Sequence, residues 1–284
     1  MKNSENKVVL ITGASSGFGK LTAEKLLAAG GWEVYAASRR IEKMRGLEKK
    51  GARVIKMDVA SSKEVNAGVG RIIREQGRID ALLSNAGYGT YGMIESVPLE
   101  EILHQYEVNV FGMARVLKAV LPRMRKQRSG RIVLTASMVS RISTLGLGWY
   151  ASTKHAVRAM GIALRQEVKE LGIDVVMIEP GAVKTGFDAV ALGMLRRVKH
   201  PGDYKKYAKG FGRLLSDAYR RSPGPESTAD CMVKAITAAK PKTVYKTTID
   251  AKVIPRVLAL ITDKLFDRFV LSSVKKAAKK KNAG

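Results

Sequence analysis

The chain predicts an α/β fold: a doubly wound parallel sheet in three layers, α/β/α, folded as a single domain. Three observations carry this. Short apolar runs of four to six residues alternate with stretches of helical spacing along most of the sequence. Each run ends in small or polar residues, the pattern of buried parallel strands whose carboxyl ends open onto a ligand crevice. No solenoid repeat and no low-complexity linker divides the 284 residues, a length near the upper limit for one core.

The first run, Lys7 to Ile11, leads into Thr12-Gly13-Ala14-Ser15-Ser16-Gly17-Phe18-Gly19, and helical spacing follows from Lys20 to Ala29. Strand, glycine turn and helix form the setting of a phosphate-binding loop. The glycines let the backbone come close to a pyrophosphate, and the free N–H groups of the helix start face the anion. Gly13, Ser15, Ser16, Gly17, Phe18 and Gly19 are therefore candidate cofactor residues, although the spacing is Gly-x-x-x-Gly-x-Gly. A second strand, Glu33 to Ala37, ends at Ser38-Arg39-Arg40. An acidic residue there would bind the ribose 2′-hydroxyl of NAD(H); an arginine pair suits a 2′-phosphate instead, so the cofactor expected is NADP(H). The third strand, Ala52 to Met57, ends at Asp58-Val59. Asp58 either receives an adenine amino group or caps the helix over 62–76. A fourth strand, Asp80 to Leu83, ends at Ser84-Asn85-Ala86-Gly87. The spacing then predicts one long helix over 99–127, with Asn109 inside it, and a fifth strand, Arg131 to Thr135, ending in Ala136-Ser137. A helix over about 150–170 precedes the sixth strand, Ile173 to Ile178, which ends at Glu179-Pro180-Gly181. The core is expected over about 7–183 and 226–250. Residues 186–225, with their Gly, Pro, Tyr and basic residues, read as a mobile excursion serving the substrate. Residues 251–284 read as an amphipathic, basic C-terminal extension, with Val253 to Leu271 followed by Lys275, Lys276, Lys279, Lys280 and Lys281.

Composition narrows the function classes. With 45% hydrophobic and 27% charged residues the chain is globular. The single cysteine, Cys231, excludes an internal disulfide and a CxxC metal site, and His104, His155 and His200 are scattered, so no metal is expected. The polar start, Met1 to Lys7, and the short run behind it suit neither a signal peptide nor a membrane span, so the expected location is the cytoplasm. The net charge of +26 is concentrated late: ten Lys/Arg against three Asp/Glu in 184–225, and twelve against three in 240–284. Such an excess suits a self-repelling surface or attraction to an anionic membrane face; peripheral membrane contact through the basic C-terminus is one expectation. Without a helix-turn-helix, RNA-recognition or zinc pattern, nucleic acid is not an expected partner.

Tyr150-Ala151-Ser152-Thr153-Lys154 places a phenol and an ammonium four apart, on one face of a helix. A fixed positive charge favours the phenolate, so the pair is expected to act as an acid–base unit with a lowered tyrosine pKa.

Over about residues 7–240 the chain resembles the short-chain dehydrogenase/reductase (SDR) family of the classical type, which has the Rossmann fold. The resemblance rests on Thr12-Gly13-x-x-x-Gly17-x-Gly19, Asp58, Asn85-Ala86-Gly87, Asn109, Ser137, Tyr150-x-x-x-Lys154, and Pro180-Gly181 with Thr185; Ser84 stands where a second Asn is frequent. It implies hydride transfer between nicotinamide C4 and a carbonyl or alcohol. Tyr150 would be the acid–base group, and Lys154 would lower its pKa and hold the nicotinamide ribose. Ser137 would bond the substrate oxygen, and Asn109 would support a water chain to Lys154. The cofactor set would run from Gly13, Ser15, Ser16, Gly17, Phe18 and Gly19 through Arg39, Arg40, Asp58, Val59, Asn85, Ala86 and Gly87 to Lys154, Pro180, Gly181, Val183 and Thr185. Leu134-Thr135-Ala136-Ser137, Tyr88-Gly89 and Pro241-Lys242-Thr243 are similar to the 17β-hydroxysteroid dehydrogenase-like and retinol dehydrogenase-like branch, which acts on steroids, retinoids and other lipophilic carbonyls or alcohols. Met138, Leu145, Leu147, Trp149, Phe187, Leu192 and Met194 are the matching pocket candidates. A small-molecule carbonyl or alcohol substrate, net reduction in cells and a dimer or tetramer are expected. The alternatives are a reductase of small or 3-oxoacyl-type ketones and a cofactor-binding regulator without turnover; a nucleotide-sugar epimerase would need a longer substrate domain.

Overall fold

A computed structural model of the chain describes residues 6–279. The start of the polar N-terminal stretch and Lys280 and Lys281 of the basic end lie outside the described residues. Seven parallel strands form one sheet: β1 (Lys7–Thr12), β2 (Trp32–Ser38), β3 (Arg53–Lys56), β4 (Ala81–Ser84), β5 (Gly130–Thr135), β6 (Ile173–Glu179) and β7 (Val244–Lys246). Their order is β3-β2-β1-β4-β5-β6-β7, so the winding reverses between β1 and β4 and opens a crevice there.

Alternation along β1 shows why the sheet must be covered on both sides. Val8 and Leu10 enter one apolar cluster, with α3 (Ser62–Gln76), α5 (Gly112–Gln127) and α6 (Gly148–Glu167). Val9 and Ile11 enter the other, with α1 (Gly17–Ala29), the short α2 (Arg45–Lys49) and α9 (Glu226–Thr237). A strand with both faces buried has no polar side to show, which is why it reads as a continuous apolar run. Local signals set the helix ends. Ser61 caps α3, its hydroxyl accepting from Glu64 N at 3.2 Å, and Gly77 closes that helix in the left-handed region.

The structure corrects four expectations. The helix expected over 99–127 contains a π turn, Glu107–Phe111, between α4 (Leu99–Tyr106) and α5. Residues 186–225 hold regular structure rather than open loop: they form α7 (Phe187–Arg197) and α8 (Gly202–Arg221). The residues read as loop signals, Gly186, Pro201 and Pro223, sit at the ends of those helices, and the apolar periodicity lies between them. The tail is two helices, α10 (Ile249–Leu258) and α11 (Asp263–Lys279), because the chain turns at residues 259–262 so that α11 can pack on α8. The seventh strand, three residues long, gave no periodic signal.

Candidate active site

At the carboxyl ends of the strands, over the reversal between β1 and β4, lies a cavity of about 670 Å3. Its nucleotide-sized end is built from backbone. Gly13 holds φ +68°, and a Cβ there would stand 2.9 Å from Ala86 Cα, so only glycine lets β1 and β4 approach this closely. The Thr12 hydroxyl accepts from Asn85 N (3.0 Å) and Ala86 N (3.2 Å). The Asn85 amide donates to Thr12 O and Gly13 O, and Thr135 Oγ1 donates to Asn85 Oδ1 at 3.3 Å. Three strand ends are thereby tied into one rim. Ser16, ahead of α1, makes no side-chain capping bond, and the first turn of that helix holds no acid, so its N–H groups suit an anion.

Gly13, Ser15, Ser16, Gly17 and Phe18 line the cavity, and Gly19 lies beneath, where a Cβ would press on Gly13 O and the Asn85 amide. Arg39, Arg40, Asp58, Val59, Asn85, Ala86 and Gly87 line it from the next strand ends. Arg40 Nη2 donates to Ser15 Oγ at 3.1 Å, and its backbone N donates to Ser38 Oγ at 3.0 Å. One guanidinium thus spans from the end of β2 to the glycine loop. The cap of α3 is Ser61, while Asp58 Oδ1 accepts from Ala60 N at 3.0 Å and Glu64 holds the Asp58 N–H. Across the crevice, Pro180, Gly181, Val183 and Thr185 complete the wall. Gly181 N donates to Thr248 Oγ1 (2.9 Å) and Ala182 N to Asp250 Oδ2 (3.0 Å), so the start of α10 clamps this loop. A Cβ on Gly181 would press on the Asp250 carboxylate.

Tyr150, Lys154 and Ser137 meet in the middle of this cavity. Tyr150 and Lys154 lie one turn apart on α6, both buried, with Lys154 Nζ 5.9 Å from the Tyr150 ring centroid. Lys154 donates to Thr135 O at 2.8 Å, and Ser137, at the end of β5, stands near the Tyr150 phenol, its hydroxyl donating to Pro180 O at 3.4 Å and accepting from Val139 N at 3.3 Å. Here the expected electrostatics are corrected. Burial pushes the Tyr150 phenol up, the neighbouring Tyr219 adds to this, and the Ser137 hydroxyl only partly opposes it. Burial also lowers Lys154 to about 8. Desolvation outweighs the ammonium because Lys154 approaches the ring rather than bonding the oxygen. Asn109, buried in the π turn, does not line the cavity. Its Oδ1 accepts from Tyr88 N (3.0 Å), and its Nδ2 donates to Tyr88 O (2.8 Å) and Thr153 Oγ1 (3.1 Å). The π turn brings that amide inward, between the β4 loop and α6.

The far end of the cavity is apolar. Met138, Leu147 and Phe187 line it; Leu145, Trp149, Leu192 and Met194 do not. Leu145 packs behind the wall, beside Leu147. Trp149 precedes Tyr150 on α6, about 100° away around the helix, and its indole N–H reaches Ile94 O at 3.1 Å. Leu192 faces a separate cavity between α7 and α8, and Met194 sits farther along α7 than the Phe187 and Val190 that reach the site. Residues the sequence did not nominate fill their place: Tyr91, Val139 and Val190, with Leu215 and Tyr219 from α8. Thr12 was also missed as a fastening group. Its signal was present, a hydroxyl at the end of the first strand, but nothing in the sequence aligned it with β4. Among the described residues no group of three or more His, Cys, Asp or Glu comes together.

Comparison with known proteins bears on this arrangement. The family model for short chain dehydrogenases matches residues 7–192. The 3-ketodihydrosphingosine reductase of Bacteroides thetaiotaomicron is 41% identical over 64% of this chain and 65% of its own length, just under two thirds of that protein. The NADPH-dependent 3-dehydrocapnine reductase of Ornithobacterium rhinotracheale is 30% identical over 95% of this chain and 98% of its own. Among solved structures, a short chain dehydrogenase/reductase from Burkholderia phymatum in complex with NAD is 27% identical, with a TM-score of 0.76 over 90% of this chain and 94% of its own. Sheet order, crevice and matched sequence agree: the chain belongs to the short-chain dehydrogenase/reductase family of oxidoreductases, whose members bind nicotinamide cofactors and act on small molecules.

Proposed function

We propose that the chain is an NADP(H)-dependent oxidoreductase that interconverts a carbonyl and an alcohol on a lipophilic substrate such as a steroid, retinoid or other lipid. The observation that carries this is the position of Ser137, Tyr150 and Lys154 where the backbone-built polar end of one cavity meets its apolar end. The residues fit a dinucleotide: uncommitted N–H groups at the start of α1 for the pyrophosphate, and Lys154 with the loop of Pro180, Gly181, Val183 and Thr185 for the nicotinamide side. Arg40, held over Ser15, supports a 2′-phosphate, and no acidic residue stands at the end of β2 to favour a free 2′-hydroxyl. One relative is named as NADPH-dependent while a solved neighbour holds NAD, so the NADP(H) reading rests on this chain's own arginines.

In reduction, the substrate carbonyl oxygen accepts hydrogen bonds from Ser137 and Tyr150. A nicotinamide held by Lys154 and the loop of Pro180, Gly181, Val183 and Thr185 would supply the hydride that the carbonyl carbon takes up. As charge develops on the oxygen, Tyr150 gives up its proton to it and the alcohol forms. The ammonium of Lys154 offsets the phenolate charge left behind, and a proton from solvent restores the phenol through the Lys154–Asn109 side. Oxidation reverses these transfers. Burial raises the Tyr150 pKa, so the phenol is protonated at neutral pH and present as the donor that reduction needs.

Exposed apolar side chains support two further contacts. Leu99, Leu103 and Phe111 stand out from α4 and the π turn, which suits a homo-oligomer interface. Eight of the fifteen exposed large apolar residues among the described residues lie between Ile249 and Leu271, flanked by Lys252, Arg256, Lys264 and Arg268. No helix among the described residues is long and apolar enough to cross a membrane. An apolar stripe with basic flanks suits adsorption to an anionic lipid surface.

The test of the reading is NADPH and NADH oxidation over a panel of steroid, retinal, long-chain, acyl and sugar carbonyls. NADPH-dependent reduction of the lipophilic members is expected. Preference for NADH, or for small sugars alone, would sink the corresponding half of the proposal.

A further inference from the structure

One polar feature stands inside the apolar half of the cavity. Tyr91, from the loop after β4, and Tyr219, from α8, are 2% and 8% exposed, and their hydroxyl oxygens lie 3.2 Å apart. Both line the cavity. The Tyr91 ring meets Tyr150 edge-on at 5.6 Å between centroids and meets Phe187 and Phe211 at 6.4 and 6.2 Å. The neighbouring walls, Val139, Leu147, Val190 and Leu215, offer no side-chain polar atom.

A donor count makes the pair informative. Two phenols carry two O–H protons, and the bond between them uses one. Neither oxygen has another hydrogen-bond partner among the described residues, so one buried O–H lacks a protein acceptor. Leaving such a donor unmatched is costly, and buried polar groups that persist this way commonly meet a ligand. Burial first, with the Asp188 carboxylate adding to it, pushes both phenols up, so the pair stays protonated and remains a donor. The contact between the Tyr91 and Tyr150 rings, 5.6 Å between centroids, sets the pair next to the reacting residue.

We infer that Tyr91 and Tyr219 form a second polar anchor, and that the preferred substrate is a lipophilic ketone carrying a hydroxyl group close to its carbonyl. This rests on the oxidoreductase reading and sharpens its substrate class. Ser137 and Tyr150 hold the carbonyl oxygen; the second pair holds the neighbouring substituent and selects which face of the carbonyl is presented. An unsubstituted ketone of the same length leaves the spare O–H unmatched and loses that orientation.

The experiment compares a long-chain ketone with the same ketone bearing a hydroxyl on the adjacent carbon, in wild type, Tyr219→Phe, Tyr91→Phe and the double variant Tyr91→Phe/Tyr219→Phe. Wild type is expected to favour the substituted ketone by about tenfold in kcat/KM, the worth of one well-placed buried hydrogen bond. The double variant, which holds no O–H at this place, is expected to bring that ratio close to one, while each single variant still leaves one O–H and keeps part of it; NADPH fluorescence titration reports whether each variant is folded and loaded. A wild type without preference, or a double variant that keeps the wild-type ratio, would overturn the anchor. The ratio of the two ketones' dissociation constants, read by fluorescence on the NADPH complex, decides the anchor in the same way without turnover. Absence of turnover with both ketones alongside a binding preference would then count against the oxidoreductase reading alone.

Discussion

The two ends of the cavity are built by different means. The nucleotide end is made of backbone: Gly13 against Ala86, the amide groups at the start of α1, and the strand ends joined through Thr12 and Asn85. The substrate end is made of side chains from helices, Phe187 and Val190 from α7 and Leu215 and Tyr219 from α8. Backbone approach tolerates few residue types at fixed spacing, so that end leaves a motif. An apolar wall accepts many side chains of similar volume, so the other end leaves none. Between them stand Tyr150 and Lys154, which belong to both halves.

The sharpest break of this division is at the junction. Tyr150→Phe is expected to lower kcat by about a hundred- to ten-thousandfold, the usual worth of a positioned proton donor. NADPH affinity should stay within about threefold of wild type, because the phenol serves the substrate half. Stopped-flow hydride transfer with equilibrium NADPH titration reads both; wild-type turnover in that variant would refute the assigned role.

A smaller effect isolates the nucleotide half. Arg40→Ala should weaken NADPH by about ten- to a hundredfold, the range for a charged hydrogen bond to a phosphate, while NADH changes little. Equal losses for the two cofactors would mean that Arg40 serves the loop rather than the 2′ position.

The pH dependence probes the junction again. Lys154 is lowered by burial to about 8, so it is charged below that pH and neutral above it. Tyr150 is raised, so its proton is retained across the same range. Reductive kcat/KM is therefore expected to fall by up to about tenfold per pH unit as pH rises through about 8. A profile flat to about pH 10 would contradict that assignment.

The smallest expected effect lies outside the cavity, on the α10–α11 stripe. Flotation with phosphatidylserine vesicles should recover the protein at low salt and release it at high salt, as screening predicts. Phe269→Asp should shift that recovery by several-fold, with carbonyl reduction in vesicle-free buffer as the control. Equal flotation with neutral vesicles would argue against an anionic surface.

Much of this was legible in the residues. The central strands carry short apolar runs because both faces of the sheet are covered, as along β1, β4 and β6, and the alternation with helical spacing points to a doubly wound sheet. Tyr150 and Lys154 could be paired from spacing alone, because an α-helix fixes which residues share a face. Other features were legible only as family pattern. Asn109 looks like an ordinary mid-helix residue until a π turn brings its amide to the Tyr88 backbone. Of the seven pocket candidates, Met138, Leu147 and Phe187 reach the cavity, because apolarity names wall material without saying which way a helix is rotated.

By itself, then, the sequence determined the alternating strands and helices, the glycine turn and the Tyr–Lys spacing. Each is a local property, set by backbone sterics and the periods of strand and helix. Only the tertiary structure decided that residues 187–221 are helices carrying Tyr219 to the side of Tyr150, that Arg40 spans to Ser15, and that burial rather than a neighbouring ammonium sets the tyrosine's acidity. These depend on contacts between residues far apart in the chain and on the exclusion of water from one cavity, neither of which a linear pattern records.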